Sequence, residues 1–286
     1  MKSPRSRNTT FSRDHTREEL TRYTIAKLQE IGVKPRRRLG QSFVVDPGLV
    51  GRLIELSAPS PDDVVLEIGA GLGTLTRALA MRCKKVYAVE IDGRLCSTLS
   101  ELLNGSRNVE ILCGDALKIE FPDFDKIVSN PPFSISSRLI LRILGFNYQS
   151  ATMTFQDEFA SRIIATPGSR DYGRLTVSTQ LRAQVLAHEV YPASSFFPEP
   201  ETNARILELR RLGPQIDRGL QDELNSLLLH VFSQRRRKMA RVLETYTRGI
   251  GKSVGEEVLR SIGEKRVFQL APQEFLEIAT ALGRHA

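Results

Sequence analysis

The stretch VVLEIGAGLGTLTRALA, residues 64–80, joins an apolar strand to a helix through a turn that contains Gly69, Gly71 and Gly73. Glycines at such a junction permit a tight turn and let a ligand approach the backbone closely. The free amides at the start of the following helix favour an anionic group such as a carboxylate or a phosphate. Because a glycine turn also has a purely structural explanation, this stretch alone predicts the local fold and leaves the ligand open.

Strands and helices alternate from this turn to residue 212. Apolar strands are predicted in KVYAVEID, VEILCGDAL, FDKIVSN and SATMTFQ, and the segments around them read as helices. This alternation is typical of an α/β fold with a mostly parallel, Rossmann-like sheet. Beyond the linker GPQ at 213–215 the pattern is only helical. We therefore predict a basic extension at 1–35, a sheet domain at 36–212 and a small all-helical domain at 213–286.

Helix boundaries follow from capping signals and periodicity. Thr16 and Glu19 have the spacing of a capping box, so a helix is expected to begin after Thr16 and to end at Gly32. A further helix is predicted at 47–57. In the C-terminal part we predict four helices, at 217–233, 236–247, 253–262 and 272–282.

Two acidic residues stand at the ends of the strands that follow the glycine turn. Glu90 ends the second strand, 21 residues after Gly69, where it can accept hydrogen bonds from both hydroxyls of a ribose. Asp115 ends the third strand, where it can accept a bond from an adenine amino group. Open sheets bind ligands beyond the carboxyl ends of their strands, so these features together predict an adenosine site. Both NAD and S-adenosyl-L-methionine fit this pattern, although the loop GAGLGT lacks the full G-x-G-x-x-G spacing.

The fourth strand ends in SNPPF, residues 129–133, and this motif favours methyl transfer. The two prolines hold the chain stiffly. The Asn130 side-chain oxygen and the Pro131 carbonyl are suitable acceptors for the two N–H bonds of an exocyclic amine. Phe133 offers a flat face for a base, and such stacking contributes about 1–3 kcal/mol. Displacement at a sulfonium methyl depends on orientation and a preorganised polar site more than on a strong base.

Positive charge is concentrated at the two ends of the chain. The net charge is +8, and residues 1–40 hold 11 Lys and Arg against 4 Asp and Glu, whereas residues 41–212 hold 18 against 20. This distribution suits a catalytic body flanked by segments that bind a polyanion. The candidate RNA-binding residues lie in two runs, Arg36, Arg37 and Arg38 in the first, and Arg235, Arg236, Arg237, Lys238 and Arg241 at the start of a C-terminal helix.

Composition limits the classes of protein to which the chain can belong. The chain contains no run of eighteen apolar residues and no apolar stretch behind its basic N-terminus, so we expect neither a membrane span nor a secretory signal. Cys83, Cys96 and Cys113 lack metal-like spacing, so we expect no metal site and three reduced thiols in a cytoplasmic protein. The four histidines are scattered and receive no catalytic role.

In its motifs the chain resembles the ribosomal RNA adenine dimethyltransferases of the KsgA type. The motifs occur in the family's order from about residue 36 to 245: LGQSFVVD, EIGAGLGTLT, VEID, GDAL, SNPPFSISS, ATPGSRDYGRLTVSTQ and FFPEPETNARILEL. The resemblance implies a class I methyltransferase sheet, the cofactor S-adenosyl-L-methionine, and two adjacent adenines near the 3′ end of small-subunit rRNA as the target. It also implies that both adenines become dimethyladenosine.

The resemblance also implies roles for individual residues. Cofactor contacts would come from Ser42 and Val44, from the glycine turn at Gly69 and Gly71, and from Glu90, Asp115 and Asn130. The catalytic group would be Asn130, Pro131 and Phe133, with Phe196 facing the adenine opposite Phe133; Phe196 and Phe197 can alternatively be core residues.

This chain departs from the family at four places. It has Ser42 where an asparagine is common, NPPF instead of N-L-P-Y, and Glu201 and Ala204 where a lysine and a serine are frequent. The changes at 201 and 204 weaken any inference about RNA contacts there.

Three alternatives remain beside small-subunit rRNA methylation in ribosome biogenesis. One is an enzyme of the antibiotic-resistance type that methylates an adenine of large-subunit rRNA. The second is a non-catalytic assembly factor on the same fold, which the intact motifs disfavour. The third is a methyltransferase that does not act on nucleic acid, which the basic ends of the chain disfavour. We expect a monomer that acts on rRNA or on a pre-assembled small ribosomal subunit.

Overall fold

The computed structural model describes residues 16–36, 40–213 and 216–283. A seven-stranded sheet lies at its centre, in the strand order β4-β3-β2-β5-β6-β9-β7. The strands are β1 (Phe43–Val44), β2 (Val64–Ile68), β3 (Lys85–Glu90), β4 (Val109–Cys113), β5 (Lys126–Ser129), β6 (Ser150–Gln156), β7 (Ala183–Tyr191), β8 (Phe196–Phe197) and β9 (Ala204–Arg211). Strands β2 to β6 pair in parallel, and β9 runs antiparallel to both of its neighbours.

Helices cover both faces of this sheet and form the C-terminal part. They are α1 (Arg17–Glu30), α2 (Pro47–Ser57), α3 (Thr74–Ala80), α4 (Gly93–Leu102), α5 (Ser136–Ile143), α6 (Asp157–Ile163), α7 (Arg174–Gln180), α8 (Arg218–Phe232), α9 (Met239–Ile250), α10 (Glu256–Ile262) and α11 (Pro272–Gly283). The predicted fold class, a mostly parallel Rossmann-like sheet followed by a helical C-terminal part, is confirmed. No helix among the described residues is long and apolar enough to cross a membrane.

The first helix begins as its capping signals predict. The Thr16 hydroxyl accepts a hydrogen bond from the Glu19 backbone amide, and the Glu19 carboxylate accepts one from the Thr16 amide. This reciprocal pair satisfies two of the amides that a helix start leaves without partners. On its buried face, Leu28 joins Val33 in a small apolar cluster with Leu72 and Leu95 of the sheet region.

Two apolar cores pack against the two faces of the sheet. One gathers around Ile68, Ile127 and Phe155 and includes the inner faces of α5 and α6. The other contains Leu49 and Leu53 of α2 together with residues of α3 and α4. Because strands β2 (VVLEI) and β5 (KIVS) are buried on both faces, their sequences are mostly apolar, as is typical of parallel strands, and Glu67 and Ser129 are buried polar exceptions.

A third core joins the C-terminal helices to the sheet region. It contains Leu227 and Val231 of α8 and Phe275 of α11, and it also includes Tyr172 and Val177 from the segment around α7. The Tyr172 hydroxyl donates to the Leu270 carbonyl at 2.7 Å. The boundary at 212/213 stays a prediction, since the helical part shares its core with residues on the other side of that boundary.

The start of α9 lies three residues later than predicted. Residues 235–238 hydrogen-bond to residues 265–268 instead of entering the helix: Val267 N donates to Arg237 O at 3.0 Å, and Phe268 N donates to Arg235 O at 3.1 Å. The basic run therefore lies largely in a turn, and α9 begins at Met239. A contact between distant segments overrides the local helix signal here.

The prediction of three reduced cysteines is wrong for two of them. Cys96 in α4 and Cys113 at the end of β4 form a disulfide, although they are 17 residues apart in sequence. Helix α4 packs back on β3 and β4, so the two Cα atoms lie 5.9 Å apart, a spacing that a disulfide can bridge. Cys83 is a free, buried thiol.

Candidate functional site

The predicted site residues of the sheet meet at one edge. Strands β2, β3, β4 and β5 are adjacent and parallel, so their carboxyl ends place Gly69, Glu90, Asp115 and Asn130 along the same side. Three neighbouring cavities open there. They share walls: the first and second have residues 40–42 in common, and the first and third have Gly69 and Pro132 in common.

The glycine turn forms the floor of the first cavity and leaves no room for side chains. Gly69 has a φ of +83°, and a Cβ at this position would lie 2.9 Å from the Pro132 ring and 3.3 Å from the Asn130 carbonyl oxygen. Gly71 has a φ of +58°, and its Cβ would lie 3.0 Å from the Phe43 ring. Both positions favour glycine, because a side chain at positive φ is strained and a Cβ would press against the neighbouring groups.

Glu90 is held by the turn that it faces. Its carboxylate accepts hydrogen bonds from the backbone amides of Gly71 at 3.0 Å, Ile91 at 2.9 Å and Asp92 at 3.0 Å. Burial raises the pKa of Glu90, and the three amides oppose this rise. A carboxylate has about four acceptor positions, so roughly one is left for a ligand. Two bonds to a ribose would therefore require one amide bond to be shared or released.

Asp115 lies beside the third cavity, which is a mostly apolar slot. Its Oδ1 accepts from the Leu117 amide at 2.9 Å, which fixes the carboxylate at the end of β4. Ile91, Ala116 and Ile135 contribute apolar walls. A slot with apolar walls and an acceptor at its rim suits a planar base with an exocyclic amine.

Glu67 is a site residue that the motif analysis missed. It lies on β2, is 2% exposed, and lines the first cavity. Its Oε2 has no hydrogen-bond partner within the described part of the chain. Burial raises the pKa of Glu67 to about 8; the Thr76 hydroxyl opposes this rise, and the nearby Glu90 adds a smaller contribution to it. A lone acid inside the apolar strand VVLEI is the sequence signal that would have found it.

Asn130 is fixed by groups from two distant segments. Its Nδ2 donates to the Ser42 carbonyl at 2.9 Å, and its Oδ1 accepts a hydrogen bond from the Thr154 hydroxyl. Ser42 in turn donates its hydroxyl to the Pro198 carbonyl at 3.0 Å. Ser42 thereby connects Asn130 to the segment at 198–201, which forms a wall of the second cavity.

The aromatic residues near this edge have different surroundings. Phe133 is partly exposed and lines the second cavity together with Gln41, Ser134 and Gln156. Phe196 is 2% exposed, and its ring meets that of Phe133 edge-on with the centroids 5.9 Å apart. In this structure Phe196 therefore supports Phe133 from the core and presents no open face to the cavity.

The remaining members of the predicted site lie close by. Pro131, which follows Asn130 in the chain, is buried. Val44 lines the first cavity and pairs with Phe196, because β1 and β8 form a two-stranded sheet. Glu199 and Glu201 are exposed and belong to the second cavity, so the wall where a lysine is frequent in the family carries negative charge here.

The predicted RNA-binding cations are not equivalent. Arg235 points inward: its guanidinium donates to the carbonyls of Ser169, Arg170 and Tyr172 at 2.9–3.1 Å and lies over the Phe268 ring. Four others in the C-terminal part are exposed on the surface, and one of them pairs with Glu264; they are Arg236, Arg237, Lys238 and Arg241. Arg36 is exposed, and Arg37 and Arg38 lie outside the described residues.

Comparison with known proteins identifies relatives along nearly the whole chain. The model of the ribosomal RNA adenine dimethylase family matches residues 32–282. A probable ribosomal RNA small subunit methyltransferase A of Thermococcus onnurineus is 39% identical over 262 residues, which cover 89% of this chain and 95% of that protein.

Two solved structures share the fold. A dimethyladenosine transferase from Plasmodium falciparum superimposes with a TM-score of 0.72 at 29% identity, over 82% of this chain and 95% of that one. The 23S rRNA methyltransferase ErmE superimposes with a TM-score of 0.62 at 29% identity, over 84% of this chain and 99% of that one.

Proposed function

This chain belongs to the ribosomal RNA adenine dimethylase family, and we propose that it dimethylates the exocyclic amines of two adjacent adenines near the 3′ end of small-subunit rRNA. It is a methyltransferase that uses S-adenosyl-L-methionine. The choice of the small subunit is supported by the description of its relative in Thermococcus onnurineus.

The residues that line the first and third cavities support binding of the cofactor there. The glycine turn is a cradle that a Cβ would fill, and Glu67, which lines the first cavity, has a buried oxygen without a partner among the described residues. A positively charged ligand bound there would favour the ionised form of Glu67. Glu90 would hold the ribose, and Asp115 would hold the adenine in its apolar slot. When bound, S-adenosyl-L-methionine supplies an electrophilic methyl carbon on a positively charged sulfur.

The observation that carries the proposal is the Asn130 side-chain amide, which hydrogen bonds hold at both its nitrogen and its oxygen. Asn130 borders the first cavity, and Ser42, which accepts its amide hydrogen, lines both the first and the second cavities. Asn130 thus belongs to the wall of the first cavity, and its partner Ser42 connects it to the second cavity, which Phe133 lines. An amine held there by the Asn130 side-chain oxygen and the Pro131 carbonyl would be oriented toward the cofactor cavity.

The second cavity suits the target base. Phe133 offers it a partly exposed ring that Phe196 supports from behind. Gln156 and Ser134 add polar groups around the opening. A base paired within a duplex cannot enter such a cavity, so the target adenines must be unpaired or flipped out.

RNA would be held by the exposed cations of the C-terminal part. Three of these cations are exposed and can approach phosphates: Arg236, Arg237 and Arg241. The Arg235 guanidinium instead donates hydrogen bonds to backbone carbonyls of the sheet region. The exposed acids Glu199 and Glu201 would repel a phosphate beside the second cavity. The RNA backbone would therefore approach from the C-terminal helices, and only the base would enter the cavity.

One chain supplies all the residues of the three cavities, which supports action as a monomer. The substrate of this monomer would be rRNA or a pre-assembled small subunit. An rRNA substrate supports a place in ribosome biogenesis in the cytoplasm. The similarity to a 23S rRNA methyltransferase keeps large-subunit RNA as the second candidate substrate.

Methyl transfer onto purified ribosomal subunits tests the proposal. Unmodified small subunits, large subunits and the corresponding free RNAs would be incubated with radiolabelled S-adenosyl-L-methionine, and the labelled nucleotides would be mapped. We expect dimethyladenosine at two adjacent positions of small-subunit RNA. Label confined to large-subunit RNA would favour the resistance-type activity, and a chain that binds subunits without labelling any RNA would be an assembly factor.

A further inference from the structure

The orientation of the Asn130 amide is determined by its neighbours. The Ser42 carbonyl is an acceptor only, so the amide atom 2.9 Å from it must be the Nδ2 donor. Oδ1 then faces the Thr154 hydroxyl, which must donate to it. Both ends of the amide are thus held, and one acceptor position of Oδ1 is left for another N–H group.

Thr154 is placed to hold this amide rigidly. It lies on β6, next to β5, where Ser129 pairs with Met153, so Thr154 stands opposite Asn130 just past the end of the ladder. Thr154 is 0% exposed. A β-branched side chain in a strand has a restricted χ1, so the direction of the hydroxyl is fixed.

Thr152 provides a natural comparison on the same strand. It also is 0% exposed, and it stands two residues earlier on the same face of β6. Its hydroxyl has no hydrogen-bond partner within the described residues. The two threonines therefore differ chiefly in whether their hydroxyl bonds to Asn130.

We propose that Thr154 is a positioning residue for methyl transfer, which acts by holding the Asn130 amide with its free oxygen lone pair available to the target amine. This inference rests on the proposed function, because Asn130 must receive that amine. Thr154 is fully buried and reaches the substrate only through Asn130. Without the Thr154 hydroxyl, the Ser42 carbonyl alone would hold the amide, and its oxygen would occupy a wider range of positions.

The proposal predicts that two substitutions at position 154 affect kcat differently. Thr154→Val keeps the shape and removes the hydroxyl, so we expect kcat to fall about tenfold while KM for RNA and for S-adenosyl-L-methionine stays within about twofold. Thr154→Ser keeps the hydroxyl and removes a buried methyl group, so we expect kcat within about twofold of wild type and a melting temperature lower by about 2–4 °C. Thr152→Val, the matched control, should change neither kcat nor KM.

A second readout needs no methyl transfer. The side-chain amide of Asn130 gives a ¹⁵N-correlated NMR signal that is assigned by its loss in Asn130→Ala. We expect this signal to shift in Thr154→Val and to stay in place in Thr152→Val.

The outcomes separate the inference from the function on which it rests. Wild-type kcat in Thr154→Val, equal losses in Thr154→Val and Thr152→Val, or an equal loss in Thr154→Ser would each overturn the positioning role. An unchanged Asn130 signal in Thr154→Val would show that the Thr154 hydroxyl does not bond to the Asn130 amide. If the wild-type chain labels no adenine while the signal shifts as expected, the proposed function fails, but the hydrogen bond between Thr154 and Asn130 is confirmed.

Discussion

Replacement of Glu67 by glutamine should change how the stability of the ligand-free protein depends on pH. Glu67 has a pKa of about 8 in the folded protein because it is buried, against an ordinary value of 4.5. Between these two values the folded protein holds a proton that the unfolded chain releases. The free energy of unfolding therefore falls as pH rises through this range.

The size of the effect follows from the pKa. A rise of about 3.5 in pKa corresponds to about 5 kcal/mol, at 1.36 kcal/mol for each pH unit. Glu67→Gln resembles the protonated acid and has no proton to release. We therefore expect wild type to lose up to about 5 kcal/mol of stability relative to Glu67→Gln between about pH 4.5 and pH 8, with little further change above pH 9.

Chemical denaturation of both proteins from pH 5 to pH 9 measures this difference directly. Other titrating groups affect both proteins alike and cancel in the comparison. Glu120→Gln, at an exposed surface position, controls for the loss of one carboxyl group and should run parallel to wild type. The argument from burial would be refuted if the free energies of unfolding of wild type and Glu67→Gln changed in parallel with pH. It would also be refuted if wild type became more stable relative to Glu67→Gln as pH rises.

Three further predictions address the site, the RNA surface and the disulfide. Asn130→Ala should lower kcat for methyl transfer by about a hundredfold or more and leave the circular dichroism spectrum unchanged; wild-type turnover would contradict the role of its oxygen. Replacing Arg236 and Arg237 together by alanine should weaken RNA binding and reduce the slope of log K against log salt by about 1.4, with S-adenosyl-L-methionine affinity retained. The control for that pair is alanine at two exposed arginines that form ion pairs within helices, Arg248 and Arg260, and an equal loss of RNA affinity there would show a general charge effect. Removing the Cys96–Cys113 disulfide by serine substitution should cost about 3 kcal/mol of unfolding free energy; the denatured wild type should show one reactive thiol, and three without reductant would exclude the disulfide.

The order of strands and helices, and the site edge of the sheet, were accessible from the sequence. Gly69, Glu90, Asp115 and Asn130 each lie at or just after the end of a strand that its mostly apolar composition reveals. In a parallel sheet, all carboxyl ends lie on one side, so these residues had to approach one another whatever the side-chain details. The capping box at Thr16 was equally local, since both of its hydrogen bonds lie within four residues.

The directions of individual side chains were not accessible in this way. Arg235 looks like its neighbours in the run RRRK, and only the packing of the C-terminal helices against the sheet region turns it toward three carbonyls. Phe196 looks like a second stacking residue, and only its pairing with β1 places it in the core. Cys96 and Cys113 have no distinctive spacing, and the return of α4 over β4 brings them together.

The sequence by itself determined which groups stand at the ends of the strands, because hydrophobic periodicity and turn residues act within a few positions of the chain. The tertiary structure alone decided which distant partner each polar group received. The Asn130 amide shows the distinction: its partners Ser42 and Thr154 lie 88 and 24 residues away in the chain. A hydrogen bond of this kind depends on strand register and on the direction of one lone pair. Neither can be predicted from the residues that are neighbours in the chain.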